Sequence, residues 1–324
     1  MIYQSDQLSI KRLEGDIAEL NFDLQGESVN KFDNATVTSL TAGLDALEAE
    51  SDITGLLVTS GKPVFIVGAD ITEFTSLFGA SKDDIKPFTG ANNKNFNRIA
   101  SLPYPSAVAI NGFAMGGGLE CCLACDFRVM STAAKIGLPE TKLGILPGWG
   151  GTVRLPRIIG VDEAVMWIAT AKDQNSGAAL KAGAVDALAE PGQLREVALA
   201  TLQGGIDGSL DYQGRRDLKS GPLPLNDTEA MMSFFTIKSM VAQQAGKNYP
   251  APVKVVDVIE AARSMNLEEA LDVEAQGFAE LATTPVATAL VGVFLNDQLL
   301  GKKAKDWEKK ADKKIERAAV LGAG

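Results

Sequence analysis

Three consecutive glycines and a nearby glutamate, in the middle of the chain, are residue types suited to chemistry at a carbonyl group. Gly116–Gly118 follow an apolar segment, and Glu120 comes two residues later, at the start of an apolar, helix-compatible stretch. Consecutive glycines let the backbone approach a ligand closely with free N–H groups, and a helix N-terminus adds positive potential. Both features suit a carbonyl oxygen that gains negative charge. The alternative is a crowded strand-to-helix turn that binds nothing.

A second glutamate strengthens the chemical interpretation. Glu140 lies 20 residues after Glu120, behind an apolar strand and a proline, and it precedes another glycine-rich turn, LPGWGG. A carboxylate in an apolar helix is costly to bury unless it is paired or used. Two glutamates beside an anion-holding turn form an acid–base pair suited to proton transfer next to a carbonyl. Each glutamate taken alone fits a helix cap or a surface position equally well.

A third segment offers further backbone donors. Residues 64–74, VFIVGADITEF, run from an apolar strand into the turn Gly68-Ala69-Asp70 and then into a helix-forming stretch. This order again places free N–H groups at the end of a strand. An ordinary connection between a strand and a helix would look the same.

The composition excludes several classes of site. The 324 residues contain no histidine, which removes Ser-His-Asp and Cys-His nucleophiles, histidine bases and H-E-x-x-H zinc sites. The three cysteines, Cys121, Cys122 and Cys125, lack a fourth zinc ligand, so we expect core packing and no metal. A net charge of −10 disfavours nucleic acid as a partner.

The same sequence features predict a cytoplasmic protein without a membrane span. The N-terminus has no signal-peptide pattern, and the cysteines are too close together to staple a fold. The longest apolar run, near Pro285–Leu295, is far shorter than the ~20 residues that a membrane span needs.

The elements that must position these residues alternate between strand and helix over residues 1–190. Ala18, Leu20 and Phe22 alternate with polar residues, as in a half-buried strand, and Asn34 is suited to cap the helix that follows. Further strands are expected at residues 55–60, 107–111 and 125–130. This alternation predicts an α/β fold with mainly parallel strand pairing.

Residues 191–316 carry few strand signals and are expected to form a helical linker region. Helical spacing covers Glu229–Gln244 and Ala251–Arg263, and a charged helix is expected over Lys302–Arg317. The polar, proline-containing stretch Arg215–Asp227 is expected to be a connecting loop.

Taken together, the motifs resemble the crotonase (enoyl-CoA hydratase/isomerase) family. The residues that carry the resemblance are FIVGADITEF, INGFAMGGGLE, IGLPETKLGILPGWGGTVRLPRIIG and KAGAVDAL. Three further stretches, SVNKFDNATV, AGKNYPAPVKVV and FLNDQ, are similar to multifunctional members of bacterial fatty-acid oxidation, which join this enzyme to a 3-hydroxyacyl-CoA dehydrogenase. The resemblance implies a spiral of ββα turns followed by a helical region.

It also implies roles for individual residues. The backbone N–H groups of Ala69 and Gly117 would form an oxyanion hole for the thioester carbonyl, and Glu120 and Glu140 would be the catalytic pair. The substrate would also be bound by Gly68, Asp70, Gly116 and Asp297. Met115 and Trp149 differ from the residues expected at their positions, which leaves the preferred acyl chain length open.

Residues 317–324, RAAVLGAG, begin like a dinucleotide-binding motif that is then cut short. The resemblance implies that they are the truncated first strand of a Rossmann NAD-binding domain. We therefore expect no cofactor for this chain, with NAD needed only by the missing dehydrogenase half. For the full-length protein, a 3-ketoacyl-CoA thiolase β subunit is the expected partner.

The leading hypothesis is hydration of 2-trans-enoyl-CoA with Δ3-Δ2 isomerase activity. Another crotonase reaction, such as thioester hydrolysis or decarboxylation, is the first alternative, and the two glutamates argue against it. A second alternative is an acyl-CoA-binding or assembly module that is inactive without its dehydrogenase half or thiolase partner.

Overall fold

The structure, a computed structural model, describes residues 1–74 and 82–310 of the chain. Within those residues the strands are β1 (Tyr3–Gln4), β2 (Leu8–Arg12), β3 (Ile17–Phe22), β4 (Gly55–Ser60), β5 (Ser106–Ile110), β6 (Phe113–Met115), β7 (Phe127–Ser131), β8 (Lys135–Gly137), β9 (Gln174–Asn175) and β10 (Ala187–Ala189).

The helices of the same residues are α1 (Asn34–Glu48), α2 (Ile71–Phe74), α3 (Lys82–Ser101), α4 (Gly117–Ala124), α5 (Gly151–Ile159), α6 (Val161–Thr170), α7 (Ser176–Ala182), α8 (Leu194–Ile206), α9 (Tyr212–Ser220), α10 (Asp227–Ala245), α11 (Pro250–Ala261), α12 (Leu267–Ala282) and α13 (Pro285–Lys310). Two short 3-10 turns cover Glu14–Asp16 and Glu140–Leu143.

The larger sheet has the strand order β1-β2-β3-β4-β5-β7-β10 in the described part of the chain. Pairing is antiparallel between β1 and β2 and between β2 and β3, and it is parallel from β3 to β10. The expected α/β fold with mainly parallel pairing is therefore confirmed.

Helices cover both faces of the large sheet. On one side α1 buries Leu40, Leu44 and Leu47, each with no exposed surface. On the other side α8 packs Ala198 and Leu202 into a separate apolar cluster. Parallel sheets are buried in this way because their crossover connections run over both faces.

Because helices cover both faces of the large sheet, the expectation that β3 is half-buried is wrong. The alternation in β3 predicted a half-buried strand, but Glu19, on the face expected to meet solvent, is only 4% exposed. Its carboxylate pairs with Lys11 at 3.0 Å and with Arg195 of α8 at 3.1 Å. The charge of Glu19 is thus balanced by basic residues beneath α8. The alternation of polar and apolar residues along a strand does not predict such a contact.

The chain winds as the expected spiral of ββα turns. β5 lies in the large sheet, β6 lies in the small sheet β6-β8-β9, and α4 follows. β7 and β8 repeat this order and lead to the 3-10 turn at Glu140. Residues 64–67, expected as a strand, instead make a single bridge from Ile66 to Ala114 of β6.

The described chain after β10 is helical up to Lys310. α11 packs against α6 and α10, and α12 packs against α3 and α5, so these helices lie directly on the α/β part. Across the described residues, no single helix is long and apolar enough to cross a membrane. Only α12 and α13 taken together reach that length and apolarity, and a bend of 76° separates the two helices.

Two expectations about local structure were wrong. Helix α1 is capped by Asp33, whose carboxylate accepts a 2.7 Å hydrogen bond from the Thr36 N–H, and Asn34 is its first residue. The stretch expected to be a loop from Arg215 begins inside α9. The charged ends of its polar side chains have partners in the protein. Arg216 forms an ion pair with Asp126 at 2.7 Å, and Lys219 donates hydrogen bonds to the carbonyl groups at the end of α4.

The charged helix expected over Lys302–Arg317 is the last part of the longer α13 as far as Lys310. Residues 311–317 and the RAAVLGAG segment lie outside the described residues.

Candidate active site

One cavity gathers most of the residues singled out in the sequence. Its lining includes Gly68, Ala69, Gly116, Gly117, Glu120 and Glu140. The rest of the wall is largely apolar and includes Ile71, Leu143, Ile145, Trp149 and Phe278. An apolar cavity with a few converging polar groups is the usual form of a small-molecule site.

Two glycine turns meet at this cavity. Gly68 and Gly116 have φ values of 105° and 53°, in the left-handed region that favours glycine. A Cβ added to Gly116 would lie 2.8 Å from Oε1 of Glu140 and 3.8 Å from the Cα of Gly68. The glycines are therefore needed both for the turns and for the close approach of the glutamate.

Two N–H groups in these turns are free to bind a ligand. Within the described residues, neither the Ala69 N–H nor the Gly117 N–H donates a hydrogen bond, although both neighbours of Ala69 are tied to Phe32. Gly117 is the first residue of α4, whose N-terminal N–H groups have no partner inside the helix. These donors suit an oxyanion.

Glu120 is buried in α4 and held by the next glycine-rich turn. It is 2% exposed, and its Oε1 accepts hydrogen bonds from the N–H groups of Trp149 and Gly151, both at 2.8 Å. Burial, together with the nearby charges of Glu140 and Glu274, raises the pKa of Glu120 well above its usual value, against the opposing effect of the two N–H groups. Because both bonds go to Oε1, Oε2 is left without a partner among the described residues.

Glu140 opens its 3-10 turn with an unpaired carboxylate oxygen. Oε2 is buried and has no hydrogen-bond partner in the described part of the chain. Burial raises the pKa of Glu140 to about 8, with a further increase from Glu274 and an opposing effect of its own N–H. A carboxyl group whose pKa lies this close to neutral pH can both give and take a proton, as acid–base catalysis requires.

The site contains a third glutamate that was not predicted from the sequence. Glu274 of α12 has no exposed surface, and its carboxylate accepts hydrogen bonds from the N–H groups of Gly150 at 2.6 Å and Thr152 at 2.8 Å. Burial is the dominant effect on Glu274 and raises its pKa to about 7, even though the hydrogen bonds from Thr152 and Gly150 act in the opposite direction. One signal was available, because Glu274 is four residues from both Ala270 and Phe278, on the buried face of α12.

Two predicted substrate-binding residues are placed outside the cavity lining. Asp70 accepts hydrogen bonds from the N–H and hydroxyl of Thr72 and pairs with Lys31 at 3.0 Å. Partial burial acts to raise the pKa of Asp70, but the bonds from Thr72 and Lys31 lower it overall. Asp297 is exposed on α13.

The three cysteines lie in the core, as expected. Cys121, Cys122 and Cys125 are free, buried thiols in or next to α4, and burial raises the pKa of each. They pack the helix that carries Glu120.

The Ile66 backbone leaves no room beside α4, which makes Gly118 a test of the packing. A Cβ there would lie 2.2 Å from the Ile66 carbonyl oxygen. Alanine is favoured over glycine inside a helix by about 1 kcal/mol, yet overpacking a core costs about 1–3 kcal/mol. We expect Gly118→Ala to lower the free energy of unfolding, measured by urea denaturation.

The matched control is Gly292→Ala in α13, where the new Cβ would have no atom of the described residues within 4 Å apart from its chain neighbours and its own helix backbone. This variant should be as stable as the original chain or slightly more stable. Equal stability of the Gly118→Ala variant would contradict the tight packing of α4 on Ile66.

Comparison with known proteins identifies the family to which this site belongs. The model of the family described as enoyl-CoA hydratase/isomerase matches residues 13–210. The chain belongs to the enoyl-CoA hydratase/isomerase family. The crotonase family expected from the sequence is thereby confirmed, as is the prediction that the chain is an enzyme.

Relatives of this enoyl-CoA hydratase/isomerase chain include the fatty acid oxidation complex subunit alpha of Pseudomonas aeruginosa PAO1, which is 53% identical over 324 residues. The protein of the same name from Pseudomonas syringae pv. syringae is 50% identical. Each alignment covers 100% of this chain but 45% of the relative, so the chain spans less than half of their length.

Solved structures support the fold. An enoyl-CoA hydratase/isomerase from Xanthobacter autotrophicus Py2 superposes with a TM-score of 0.66 at 22% identity, covering 93% of this chain and 97% of that one. Pseudomonas aeruginosa DspI is 29% identical with a TM-score of 0.57, covering 67% of this chain and 80% of that one.

Proposed function

We propose that the chain hydrates 2-trans-enoyl-CoA to 3-hydroxyacyl-CoA and isomerises Δ3- to Δ2-enoyl-CoA. The observation that carries the proposal is the pair Glu120 and Glu140 in one apolar cavity with the free N–H groups of Ala69 and Gly117. The family and the Pseudomonas relatives named for fatty acid oxidation support the substrate class.

In hydration, the thioester carbonyl accepts hydrogen bonds from the Ala69 and Gly117 N–H groups. Glu120 takes a proton from water while the water oxygen bonds to Cβ, and the electron pair of the double bond moves toward the thioester oxygen. Glu140 then gives its proton to Cα, and the proton taken up by Glu120 passes back to Glu140 through solvent before the next turnover. The sum adds one water, and the enolate-like charge is stabilised by the two backbone donors.

In isomerisation, one carboxylate is sufficient. Glu140 removes a proton from Cα of the 3-enoyl thioester and returns a proton at Cγ, so the double bond moves into conjugation. The same oxyanion donors stabilise the dienolate between the two steps.

The direct test is the loss of enoyl-thioester absorbance when crotonyl-CoA is added to the purified chain. We expect a steady decrease and the formation of 3-hydroxybutyryl-CoA, identified by mass spectrometry. Release of free CoA thiol would indicate thioester hydrolysis instead. Binding of crotonyl-CoA without turnover would support the acyl-CoA-binding or assembly module.

We further propose that the whole protein works in a complex. The relatives are named as subunits of a fatty acid oxidation complex, and the resemblance implies a 3-ketoacyl-CoA thiolase β subunit as partner. We expect the full-length protein to co-purify with such a thiolase. Purification of the full-length protein without a thiolase would contradict the proposed complex.

A further inference from the structure

Four successive N–H groups at the start of α5 are shared alternately by two buried carboxylates. Glu120 accepts from Trp149 and Gly151, both at 2.8 Å. Glu274 accepts from Gly150 at 2.6 Å and from Thr152 at 2.8 Å. The turn that orients Glu120 is therefore held from its other side by Glu274.

The second carboxylate comes from a distant part of the chain. Glu274 belongs to α12 and is 122 residues from Thr152, whose hydroxyl also donates to it at 2.6 Å. The same helix contributes Phe278 to the cavity wall. From within α5, Arg154 donates to the Trp149 carbonyl at 3.0 Å. The turn is thus fixed at both its N–H and its carbonyl groups.

We propose that Glu274 is a positioning residue for Glu120, through which the helical region after β10 sets the geometry of the hydration site. The inference rests on the proposed hydratase function. Without Glu274, two buried N–H groups at the helix start would lose their acceptor, and the turn would be free to rotate. Glu120 would then lose the rigid donors that hold its Oε1.

Glu274 also acts on the site through its charge. It raises the pKa of both Glu120 and Glu140, because a negative group nearby disfavours their ionised forms. Among the described residues, the charged groups that interact with Glu274 include Arg154 and Arg157 of α5, Glu120 of α4 and Glu140, and α11 places Lys254 against the same helix. Lys254 pairs with Glu280 on α12, so it does not neutralise Glu274.

The test replaces Glu274 by glutamine, which keeps its size but removes its charge and one acceptor oxygen. We expect Glu274→Gln to lower kcat for crotonyl-CoA hydration on the order of 10- to 100-fold, as for a small misplacement of a catalytic group. KM should stay within about threefold, since the substrate-binding wall is retained. The alkaline limb of the kcat–pH profile should move to lower pH, because the general acid Glu140 loses a neighbouring negative charge that raises its pKa.

The shift of the alkaline limb of the kcat–pH profile distinguishes a positioning role of Glu274 from a general loss of folded protein. A partly unfolded preparation lowers kcat in proportion to the active fraction but leaves the profile in place. The active fraction is measured independently by the stoichiometry of butyryl-CoA binding. The matched control is Glu280→Gln, the same change on the same helix at its pair with Lys254, which should keep the wild-type kcat and profile.

If the Glu274→Gln variant does not fold, Glu274→Asp takes its place. It keeps the charge but withdraws the carboxylate from the turn, so kcat should fall while the alkaline limb stays in place. A folded variant of either kind with the wild-type kcat overturns the inference, as does a loss of kcat fully explained by a smaller active fraction. Absence of hydration in the wild-type chain and in Glu280→Gln would instead refute the proposed function.

Discussion

Replacing Glu140 by glutamine is expected to reduce hydration of crotonyl-CoA roughly 10²- to 10⁴-fold, the range for loss of a general acid. The amide keeps the size of the carboxyl group but has no proton to give to Cα. Isomerisation should fall equally, since the same residue carries the proton in both reactions. Initial rates with crotonyl-CoA and with a 3-enoyl-CoA measure the two losses.

The same variant should be more stable than the original chain at alkaline pH. The pKa of Glu140 is about 8 in the folded protein against an ordinary value of 4.5. Below 4.5 both states hold the proton, so the variants should not differ. Between 4.5 and about 8 the unfolded state ionises first, which removes stability from the original chain as pH rises, and the difference levels off above 8.

Urea denaturation at pH 5.5 and pH 8.5 measures this effect. The stability gained by Glu140→Gln should be larger at pH 8.5. The control is Glu196→Gln, an exposed glutamate of α8, which should gain nothing at either pH. Full hydratase activity of the Glu140→Gln variant would refute the assignment, and a gain that is independent of pH would contradict the raised pKa.

Replacing Glu120 by glutamine should damage hydration more than isomerisation. Loss of a general base costs roughly 10²- to 10⁴-fold, and only hydration needs a base to activate water. The amide oxygen can still accept from the Trp149 and Gly151 N–H groups, so the turn should keep its place. The ratio of hydratase to isomerase rates should therefore fall.

The measurement is both initial rates on one preparation, so that differences in active fraction cancel in the ratio. Glu196→Gln again serves as the control and should leave the ratio unchanged. An equal loss in both reactions would argue against Glu120 as the base that activates water.

Much of the candidate site was readable from the sequence because its signals are local. Gly116–Gly118 and Glu120 lie within one turn of a helix, and the turn at Gly68-Ala69 lies at the entrance to another. A glycine at a tight turn reflects the local backbone conformation, and a carboxylate in an apolar helix is unfavourable unless it has a role. Both signals can be recognised from a few neighbouring residues.

Two of the predictions that failed concern contacts made across the fold. Arg216 and Lys219 looked like loop residues, yet their charged ends meet Asp126 and the end of α4 about 90 residues away. Glu19 looked exposed until α8 placed Arg195 over it. An ion pair with a partner far away in the chain leaves no spacing pattern in either residue, so the burial of these polar groups could not be predicted.

The sequence by itself determined the α/β fold class, the family and the local turns and carboxylates that meet at the cavity. Only the tertiary structure decided that Glu274 joins Glu120 at the start of α5, and that Asp70 and Asp297 lie outside the cavity lining. The reason is physical: periodicity records which face of an element is buried. The partner of a buried carboxylate is chosen by the packing of segments that are far apart in the chain.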